Sequence, residues 1–538
     1  MWMTLALLGE DAVACGGFAC NLNRPVLQAA ERIVFGVDEA HDLVEMHVQI
    51  TYTGDAEDFA WIVPVPDVPD LFLTSGALFN RVALATAPRF VLNSVDEGWC
   101  RGDGDFMFGG AEFAAVSDAA MTTSAGNGGV SVIDQKVVGP YETVTLRATS
   151  SEALLGWLDA NAFDLPEGSE EAIAPYVSEA GYFVALKLKK GSDVGDLAPL
   201  ALRYEGDRAI VPVQLTSVSA TPDMRLEAYV FANTRAVPES YLHVQINDAA
   251  IDWWNQGINY SDVITEAANE AGGHAFATDY YGASSIVRPL LDEAAFDEAS
   301  IRASTGPVAW LNRIRPVLLA VPPEMFEVLE DQLALGEGMG ATYYNCPDCV
   351  GPAEFVGGVD AATDVLLARV IEPARTAQNL LDQYPLLSRM TSSLDAAEMT
   401  VDPTFVLNHD MKRGEVSRRR TADQVFECGN GRDRFEAPRR LVLADGREIE
   451  LPSQAWLMER GMTELQYLEE LGDQKAQVIE QTGQTGAPEV IADFTADLFD
   501  LVDAHNSSLG CGCASTGTGA GSMGGLALLG VLALRRRR

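Results

Sequence analysis

The sequence predicts an α+β fold. Its β-rich amino-terminal half is expected to form sandwich-like antiparallel sheets with inserted helices, and a mainly helical carboxyl-terminal region and a short hydrophobic tail are expected to follow. Alternation of apolar and polar residues with a period of two recurs through the first half, which is typical of half-buried strands. From about residue 257 the apolar spacing lengthens toward that of a helix.

Length and composition limit the classes of protein that fit. A chain of 538 residues, 47% of them hydrophobic and 21% charged, is long enough for two or three packed domains. The 78 acidic residues against 37 basic ones give a net charge of −41, which argues against nucleic acid and anionic membrane surfaces as partners. The predicted divisions are 1–14, a signal peptide; 15–256, a β-rich domain; 257–400, a mixed helical region; 401–505, a helical extension; and 506–538, a tail.

The strand prediction depends most on the stretch "VEMHVQITY", in which Val44 begins an apolar face and Glu45 a polar one. His47 lies on the polar face, so we expect a solvated histidine with no functional role. Similar stretches are "ERIVFGVD", "ETVTLRA", "GYFVALKLKKG" and "RLEAYVFAN". A helix, "SSEALLGWLDAN", interrupts them, with an amino-terminal cap expected at Ser151 or its neighbour.

Three helices are predicted in the second half. "SDVITEAANEAGG" is expected to run from a Ser261 cap to a Gly272 stop, and "MTELQYLEELGDQKAQVIEQ" to open on a capping box. "PEVIADFTADLFDLVDAHN" carries an apolar stripe at helical spacing. Glu266, Glu270 and His274 resemble a metal-ligand spacing, but the double glycine ends the helix before the histidine, so no metal site is predicted.

A basic cluster interrupts the acidic second half. Arg418, Arg419 and Arg420 are consecutive in "EVSRRRTADQ". In a chain of such negative charge we interpret them as a surface patch neutralised by nearby carboxylates.

The cysteines indicate a disulfide framework. Six lie in the body of the chain and two in the tail: Cys15, Cys20, Cys100, Cys346, Cys349, Cys428, Cys511 and Cys513. Cys15 and Cys20 can bridge through a glycine turn and Cys346 with Cys349 through a proline turn, which leaves Cys100 and Cys428 as a long-range pair. Six cysteines allow fifteen pairings, and "NCPDC" could also be a redox motif or half of a metal site.

The amino terminus resembles an export signal. A short apolar stretch, Met3 to Leu8, precedes the small residues Ala12–Val13–Ala14 and then Cys15. Removal of residues 1–14 would leave an exported chain, in which disulfides persist. Alternatively, "AVAC" is a weak lipidation motif in which Cys15 would carry a lipid and leave an odd thiol.

An ordered series of segments resembles a known family. "CGGFAC", "AAERIVFGVD", "DFAWIVPVPDVPDL", "VGPYETVTL", "AGYFVALKLKKG" and "NEAGGHAFATDY" are similar to the family of exported bacterial proteins called domain of unknown function 2330. The similarity is expected to cover residues 15 to 400. No activity is established for this family, so the resemblance indicates relatedness and implies no mechanism.

The tail resembles a second element, the myxobacterial carboxyl-terminal sorting domain written MYXO-CTERM. Cys511 or Cys513, a small-residue spacer, an apolar segment over 526–534 and the cluster Arg535, Arg536, Arg537 and Arg538 fill its pattern. The resemblance implies the export machinery and a processing protease as partners, a transient stop in the inner membrane, and anchoring at the cell surface or outer membrane. A permanent tail anchor is the alternative.

Motifs for catalysis are lacking. The sequence has no H-E-x-x-H, G-x-S-x-G or P-loop motif, so it predicts no catalytic, cofactor-binding or metal-binding residue. We therefore expect a non-enzymatic envelope or binding protein. The alternative is an extracellular hydrolase whose site is assembled from distant Asp, Glu and His residues.

The two terminal segments generate a prediction about location. Fractionation of producing cells, with mass spectrometry of the termini, should find the chain outside the cytoplasm and without Arg535 to Arg538. Full-length protein in the cytoplasm of its native host, with its carboxyl terminus intact, would contradict this expectation.

Overall fold

The computed structural model describes residues 18–19, 28–49, 56–57, 60–101, 120–121, 130–161, 163, 168–179, 181–188, 197–411 and 414–510. Cys15, Cys20, Cys511, Cys513 and the four terminal arginines lie outside these residues. The apolar segment 526–534 does too, and no helix among the described residues is long and apolar enough to span a membrane.

Strands occur on both sides of residues 284–385, a stretch in which the structure describes helices. In order, those of the first part are β1 (Phe18–Ala19), β2 (Gln28–Asp38), β3 (Leu43–Val48), β4 (Ala56–Glu57), β5 (Ala60–Val65), β6 (Asp70–Leu73), β7 (Arg89–Arg101), β8 (Ala120–Met121), β9 (Val130–Val138), β10 (Tyr141–Ala148), β11 (Tyr182–Leu188), β12 (Leu200–Glu205) and β13 (Ala209–Ile210). Those of the second part are β14 (Ala220–Ala232), β15 (Arg235–Pro238), β16 (Leu242–Ile246), β17 (Ala275–Ala283), β18 (Leu386–Leu394), β19 (Thr404–Asn408), β20 (Arg419–Asp433), β21 (Arg439–Val442), β22 (Glu448–Leu451), β23 (Ala476–Gln481) and β24 (Glu489–Asp493).

Helices are concentrated between residues 260 and 383. In order along the chain they are α1 (Gly76–Thr86), α2 (Ser151–Ala160), α3 (Ser169–Glu179), α4 (Val213–Thr216), α5 (Tyr260–Glu270), α6 (Glu298–Arg302), α7 (Pro307–Ile314), α8 (Glu324–Leu333), α9 (Gly340–Asn345), α10 (Pro347–Val350), α11 (Gly358–Leu366), α12 (Glu372–Gln383), α13 (Gln454–Arg460), α14 (Glu464–Tyr467) and α15 (Thr495–Gly510). A π-helical turn, Leu367–Ile371, joins α11 to α12. The cap of α2 is Ser150, the neighbour of Ser151, as predicted.

Two sheets pack face to face and form the main core. One has the order β1-β5-β11-β10-β9, and the other has ten strands in the order β24-β23-β16-β17-β18-β14-β2-β3-β12-β6. Phe35, Met46 and Leu226 of the larger sheet meet Trp61 and Val184 of the smaller one in a single buried cluster. The sandwich expected from the alternating pattern is therefore confirmed, and the fold is α+β.

The larger sheet is mixed and not purely antiparallel. β14 runs parallel to β2, and β16 runs parallel to β17. Parallel neighbours need a long crossover connection, and more than 180 residues separate β2 from β14 in the sequence. The sheet also draws strands from all three predicted body segments, since β17 and β18 come from 257–400 and β23 and β24 from 401–505.

Helices cover the outer face of each sheet. Leu154 and Leu158 of α2, with Ile173 of α3, pack on the five-stranded sheet. Leu78 and Phe79 of α1, with residues of α12, pack on the ten-stranded sheet. A separate helical core, formed mainly by α7, α8, α11 and the π-helical turn, lies within residues 291–374.

Residues 401–505 differ from the expected helical extension. Apart from 412–413, which are not described, this segment contains six strands, β19 to β24, besides its helices. The predicted capping box of Thr463 and Gln466 is present, but its helix ends at Tyr467. "AQVIEQ" and "EVIAD" instead pair as β23 and β24, because their β-branched residues also suit a strand added to a sheet edge.

The long-range cysteine pair lies between two paired strands. β20 runs parallel to β7, and this register brings Cys100 and Cys428 to a Cα separation of 5.0 Å, within the range of a disulfide. Cys346 and Cys349 have a Cα separation of 5.4 Å. Both pairs are therefore capable of forming disulfides.

The two pairs should differ in their effect on stability. Cys428→Ala opens a closed loop with a sequence separation of 328, and chain entropy assigns such a loop about 6 kcal/mol. Cys346→Ala opens a loop with a separation of 3, worth about 2 kcal/mol in the same arithmetic. Denaturant unfolding of the oxidised protein should therefore show the larger loss for Cys428→Ala.

Non-reducing peptide mapping supplies the control for that comparison. Peptides that contain Cys100 and Cys428 should migrate together until they are reduced. Free thiols at both positions in protein purified without reductant would rule the bridge out.

Candidate functional site

A polar stripe crosses the helix-covered face of the ten-stranded sheet. Side chains two residues apart on a strand share a face, so Arg225, Glu227 and Tyr229 of β14 point the same way. The register sets Glu227 beside Arg32 of β2, and Tyr229 beside Arg389 of β18. Five polar side chains thus meet on this face, beside apolar side chains such as Val34 and Phe231.

These side chains form a buried ionic network. Arg389 Nη2 donates to Glu227 Oε1 at 2.9 Å, and Arg32 Nε donates to Glu227 Oε2 at 3.0 Å. The Tyr229 hydroxyl donates to the same carboxylate at 2.8 Å. The side chains of Arg389 and Glu227 are only 6% and 5% exposed, so each charge depends on the other for its stability.

Asp279 completes the network from the neighbouring strand. A register shift in β17 between Thr278 and Tyr280 turns this residue toward the network, where its side chain is 0% exposed. Its Oδ2 lies 3.1 Å from Arg389 Nε and accepts a hydrogen bond of 2.6 Å from the Thr391 hydroxyl. Tyr260 of α5 donates to Oδ1 of the same carboxylate.

The network holds Glu227 and Arg389 in their charged forms and Tyr260 in its neutral form. Burial acts to raise the pKa of Glu227, but the charges of Arg389 and Arg32 outweigh it and hold that pKa below its ordinary value. Burial acts to lower the pKa of Arg389, but neighbouring Tyr229, Asp279 and Glu227 raise it. Burial, followed by the charge of Asp279, raises the pKa of Tyr260 well above its usual range.

The loop before α5 determines how this helix begins. Asn259 Oδ1 accepts from the Asp252 amide at 2.8 Å, and its Nδ2 donates to the Ala250 carbonyl at 2.8 Å. The side chain is thereby withdrawn from α5, and Asn259 makes no capping hydrogen bond. Ser261, the predicted cap, lies inside the helix, so the first turn of α5 has no side-chain cap.

A cavity of about 300 Å³ opens above the network, between α1, α5 and the sheet. Arg32, Arg225 and Arg389 are its lining cations, and Glu227 is the lining carboxylate. Pro88 disfavours helical backbone at Ala87, so α1 ends there. The last turn of α1 forms one side of the cavity. Tyr260 and Ser261 line the side formed by α5.

Two side chains that line the cavity have polar groups that are available to a ligand. Arg225 is exposed, and no carboxylate pairs with it among the residues that the structure describes. Ser393 lies directly opposite Arg225 in the register and is only 5% exposed. The Ser393 hydroxyl has no hydrogen-bond partner among the described residues, although a buried hydroxyl normally has one.

More arginines lie beside the cavity, and they correct the interpretation of the basic cluster. Arg418 Nη1 donates to the carbonyl of Leu84, a lining residue, at 3.1 Å. Burial and then the nearby charge of Arg89 lower the pKa of Arg418, as expected where cations gather. Among the described residues, Arg420 is the member of the cluster that pairs with a carboxylate, Asp248 at 3.3 Å, and its guanidinium is partly buried instead of lying on the surface.

A second cavity shows the opposite arrangement. It has a volume of about 510 Å³ and contains Arg375. The guanidinium of Arg375 is bound by Glu293 at 2.6 Å and by Glu372 at 2.6 Å. Its charge is already matched, whereas that of Arg225 is not.

His47 is buried and not solvated, which corrects the sequence-based expectation. Its side chain is 0% exposed, with Nε2 at 2.8 Å from Glu45 Oε1 and Nδ1 at 2.9 Å from Thr74 Oγ1. The supposed polar face of β3 is covered by other parts of the fold, and Arg203 binds the second oxygen of Glu45 at 2.9 Å. Both ring nitrogens are therefore engaged inside the protein.

Other sequence candidates do not form a site. Glu270 accepts hydrogen bonds from the amides of Lys475 and Ala476, while His274 Nε2 contacts the Glu398 carbonyl. Glu266 pairs with Lys475 at 2.8 Å. These three residues fix neighbouring segments and do not converge on a metal.

One group of possible metal ligands is found near the long-range cysteines. Asp96, Cys100 and Cys428 lie close together. Since the two sulfurs are at disulfide geometry, they are not available as thiolates, and we assign no metal there.

The fold and cavity define an α+β sandwich protein with an arginine-lined site. Residues 10–292 match the family model described as an uncharacterized protein conserved in bacteria, DUF2330. The match covers more than half of the chain, so the chain belongs to this family. It ends well before residue 400, the limit expected from the sequence, and therefore includes Arg32, Arg225 and Asp279 but not Arg389 or Ser393.

Neither comparison with characterised proteins adds to this family. No curated protein and no solved structure matches the chain.

Sequence reasoning missed the residues of this site. The available signal was a charged residue in an otherwise apolar strand, as in "RLEAYVFA" and "LLSRMTSSL". Such a residue is buried only with a partner, and a partner 162 positions away, as for Glu227 and Arg389, is not visible in the sequence.

The network generates a stability prediction. Glu227→Gln removes the carboxylate that Arg389 and Arg32 share, so we expect the free energy of unfolding to fall by about 3–5 kcal/mol in denaturant unfolding. Glu142→Gln, at an exposed position of β10, is the matched control and should change stability little. Equal effects of the two substitutions would contradict the importance of the network.

The same variant should lose pH dependence. The folded-state pKa of Glu227 is lowered, so its contribution is complete above the ordinary glutamate pKa and is lost as the pH falls through the folded value. Wild-type stability should therefore decline in acid more steeply than that of Glu227→Gln. Parallel pH profiles would show that Glu227 has no special electrostatic role.

Proposed function

We propose that this chain is an exported envelope protein that binds a small anion in the arginine-lined cavity without catalysing a reaction on it. The Arg225 guanidinium, which has no carboxylate partner among the residues that the structure describes, is the observation that supports the proposal most strongly. In a chain of net charge −41, three arginines line one cavity, and Arg225 is the one that has no carboxylate partner among the described residues. Anions are bound most strongly by arginine through charge-assisted hydrogen bonds.

The lining groups favour binding over hydrolysis. A hydrolase needs a carboxylic acid or histidine that can move a proton to or from the substrate. Glu227 is held as a carboxylate by two arginines, and it is the lining group of the cavity with this chemistry. The described residues that line the cavity include no histidine.

Location and anchoring rest on the sequence. The amino-terminal apolar stretch and the arginine-ended tail support export and attachment to the cell envelope. The disulfide-capable pairs Cys100–Cys428 and Cys346–Cys349 suit an oxidising compartment outside the cytoplasm. A binding protein at that location would meet small anions from the medium or the periplasm.

Calorimetric titration of the purified chain tests the proposed function. Three ligands should be compared: phosphate, sulfate and a small dicarboxylate. The ionic strength is kept constant with chloride salt. At least one should bind with 1:1 stoichiometry, and Arg225→Ala should weaken that binding about tenfold or more because a charged hydrogen bond is lost.

Arg288→Ala is the matched control. It removes one exposed arginine that lies outside the cavity, so affinity should be unchanged. No binding of any anion, or equal weakening by both substitutions, would overturn the proposal.

A further inference from the structure

We infer that the cavity is built for a tetrahedral dianion, a phosphate group either free or in a monoester, and not for a carboxylate. The inference rests on the proposed function and names the chemical class of its ligand. Three kinds of hydrogen-bond donor converge on the cavity from different elements: a guanidinium, a hydroxyl and the first turn of a helix. Each has a separate structural reason for being available.

The helix contribution comes from α5. This helix has 11 residues, and Tyr260, Ser261 and Ile264 of its first turns line the cavity. Its cap residue Asn259 is diverted into the preceding loop and makes no capping hydrogen bond, and the amides of Ser261 and Asp262 have no backbone acceptor among the described residues. Such amides, together with the helix dipole, favour a phosphate.

The hydroxyl contribution comes from Ser393, which is an independent observation. Its side chain is more than nine-tenths buried, lines the cavity and has no hydrogen-bond partner among the described residues. A buried donor left unpaired costs stability, so its persistence at a cavity wall points to a ligand oxygen as the missing partner. Arg225 is directly opposite on β14, which sets a guanidinium next to this hydroxyl.

Charge in the cavity wall favours a dianion. Arg32, Arg225 and Arg389 face two carboxylates, those of Glu227 and Asp279, so one positive charge is unmatched. Arg418, bonded to the lining residue Leu84, adds a second one at the rim. A ligand with two negative charges would match both.

The number of acceptors distinguishes phosphate from carboxylate. A carboxylate has two coplanar oxygens, which one guanidinium can occupy completely. It would leave the Ser393 hydroxyl and the α5 amides without a partner. A phosphate group presents at least three oxygens in a tetrahedral arrangement, so it can accept from all three kinds of donor. A ligand that leaves the buried donors of a site unpaired binds much more weakly than a ligand that pairs with all of them.

Titration of the full chain with inorganic phosphate and, separately, with acetate at equal ionic strength tests the inference. We expect phosphate to bind at least about tenfold more tightly. Ser393→Ala should weaken phosphate binding by about tenfold and leave acetate binding nearly unchanged, since only phosphate would reach that hydroxyl. A phosphate monoester such as phosphoserine, compared with free phosphate, identifies the source of the group.

Two further variants make the outcomes separable. Arg225→Ala should weaken both anions and Arg288→Ala neither, with circular dichroism verifying that each variant is folded. If acetate binds as tightly as phosphate, or Ser393→Ala affects both equally, the tetrahedral inference is wrong while the anion-binding function stands. If no anion binds, both fail.

Discussion

The structure depends on one buried ion network, Glu227 with Arg389 and Asp279. These residues come from three neighbouring strands, β14, β18 and β17, and Tyr260 adds α5. Removing such charges from water costs several kcal/mol for each ion, and only complete pairing offsets that cost. Strand register, the shift in β17 and the position of α5 must therefore agree for this face of the sheet to be covered.

The cavity follows from an excess of cations in that network. Two carboxylates neutralise two of the three wall arginines, and Arg225 extends beyond them toward solvent. The same loop that fixes α5 on the network also removes its cap, because Asn259 bonds to Ala250 and Asp252. Packing and binding thus use the same few elements. The polar residues of β14 and β18 form the floor of the cavity, and the start of α5 and the end of α1 form its walls.

Much of the fold could be predicted from the sequence, because the spacing of apolar residues depends only on residues that are close together in the chain. Alternation predicted the sandwich, the apolar stripe predicted α5 within two residues of its ends, and proximity along the chain left Cys100 and Cys428 as a pair. Strands β23 and β24 were missed because short segments with apolar residues fit a helix or a strand equally well, and a sheet edge decided between them.

The site was less accessible, because its residues have the pattern of a solvent-exposed face. A polar residue at every second position of a strand normally indicates solvent, and both His47 and Glu227 follow that pattern. Segments distant in the sequence bury them: His47 bonds to Thr74, which lies just before α1, and Glu227 lies in the cavity wall between α1 and α5. Only the tertiary arrangement reveals that the polar face is an interior surface.

A crystal structure of the protein grown with selenate, a tetrahedral dianion with an anomalous signal, tests the central claim most directly. We expect one strong anomalous peak inside the cavity, within hydrogen-bond distance of the Arg225 guanidinium and of Ser393 Oγ. An empty cavity, with selenate bound only at scattered surface arginines such as Arg288, would contradict the claim that this cavity is an anion site.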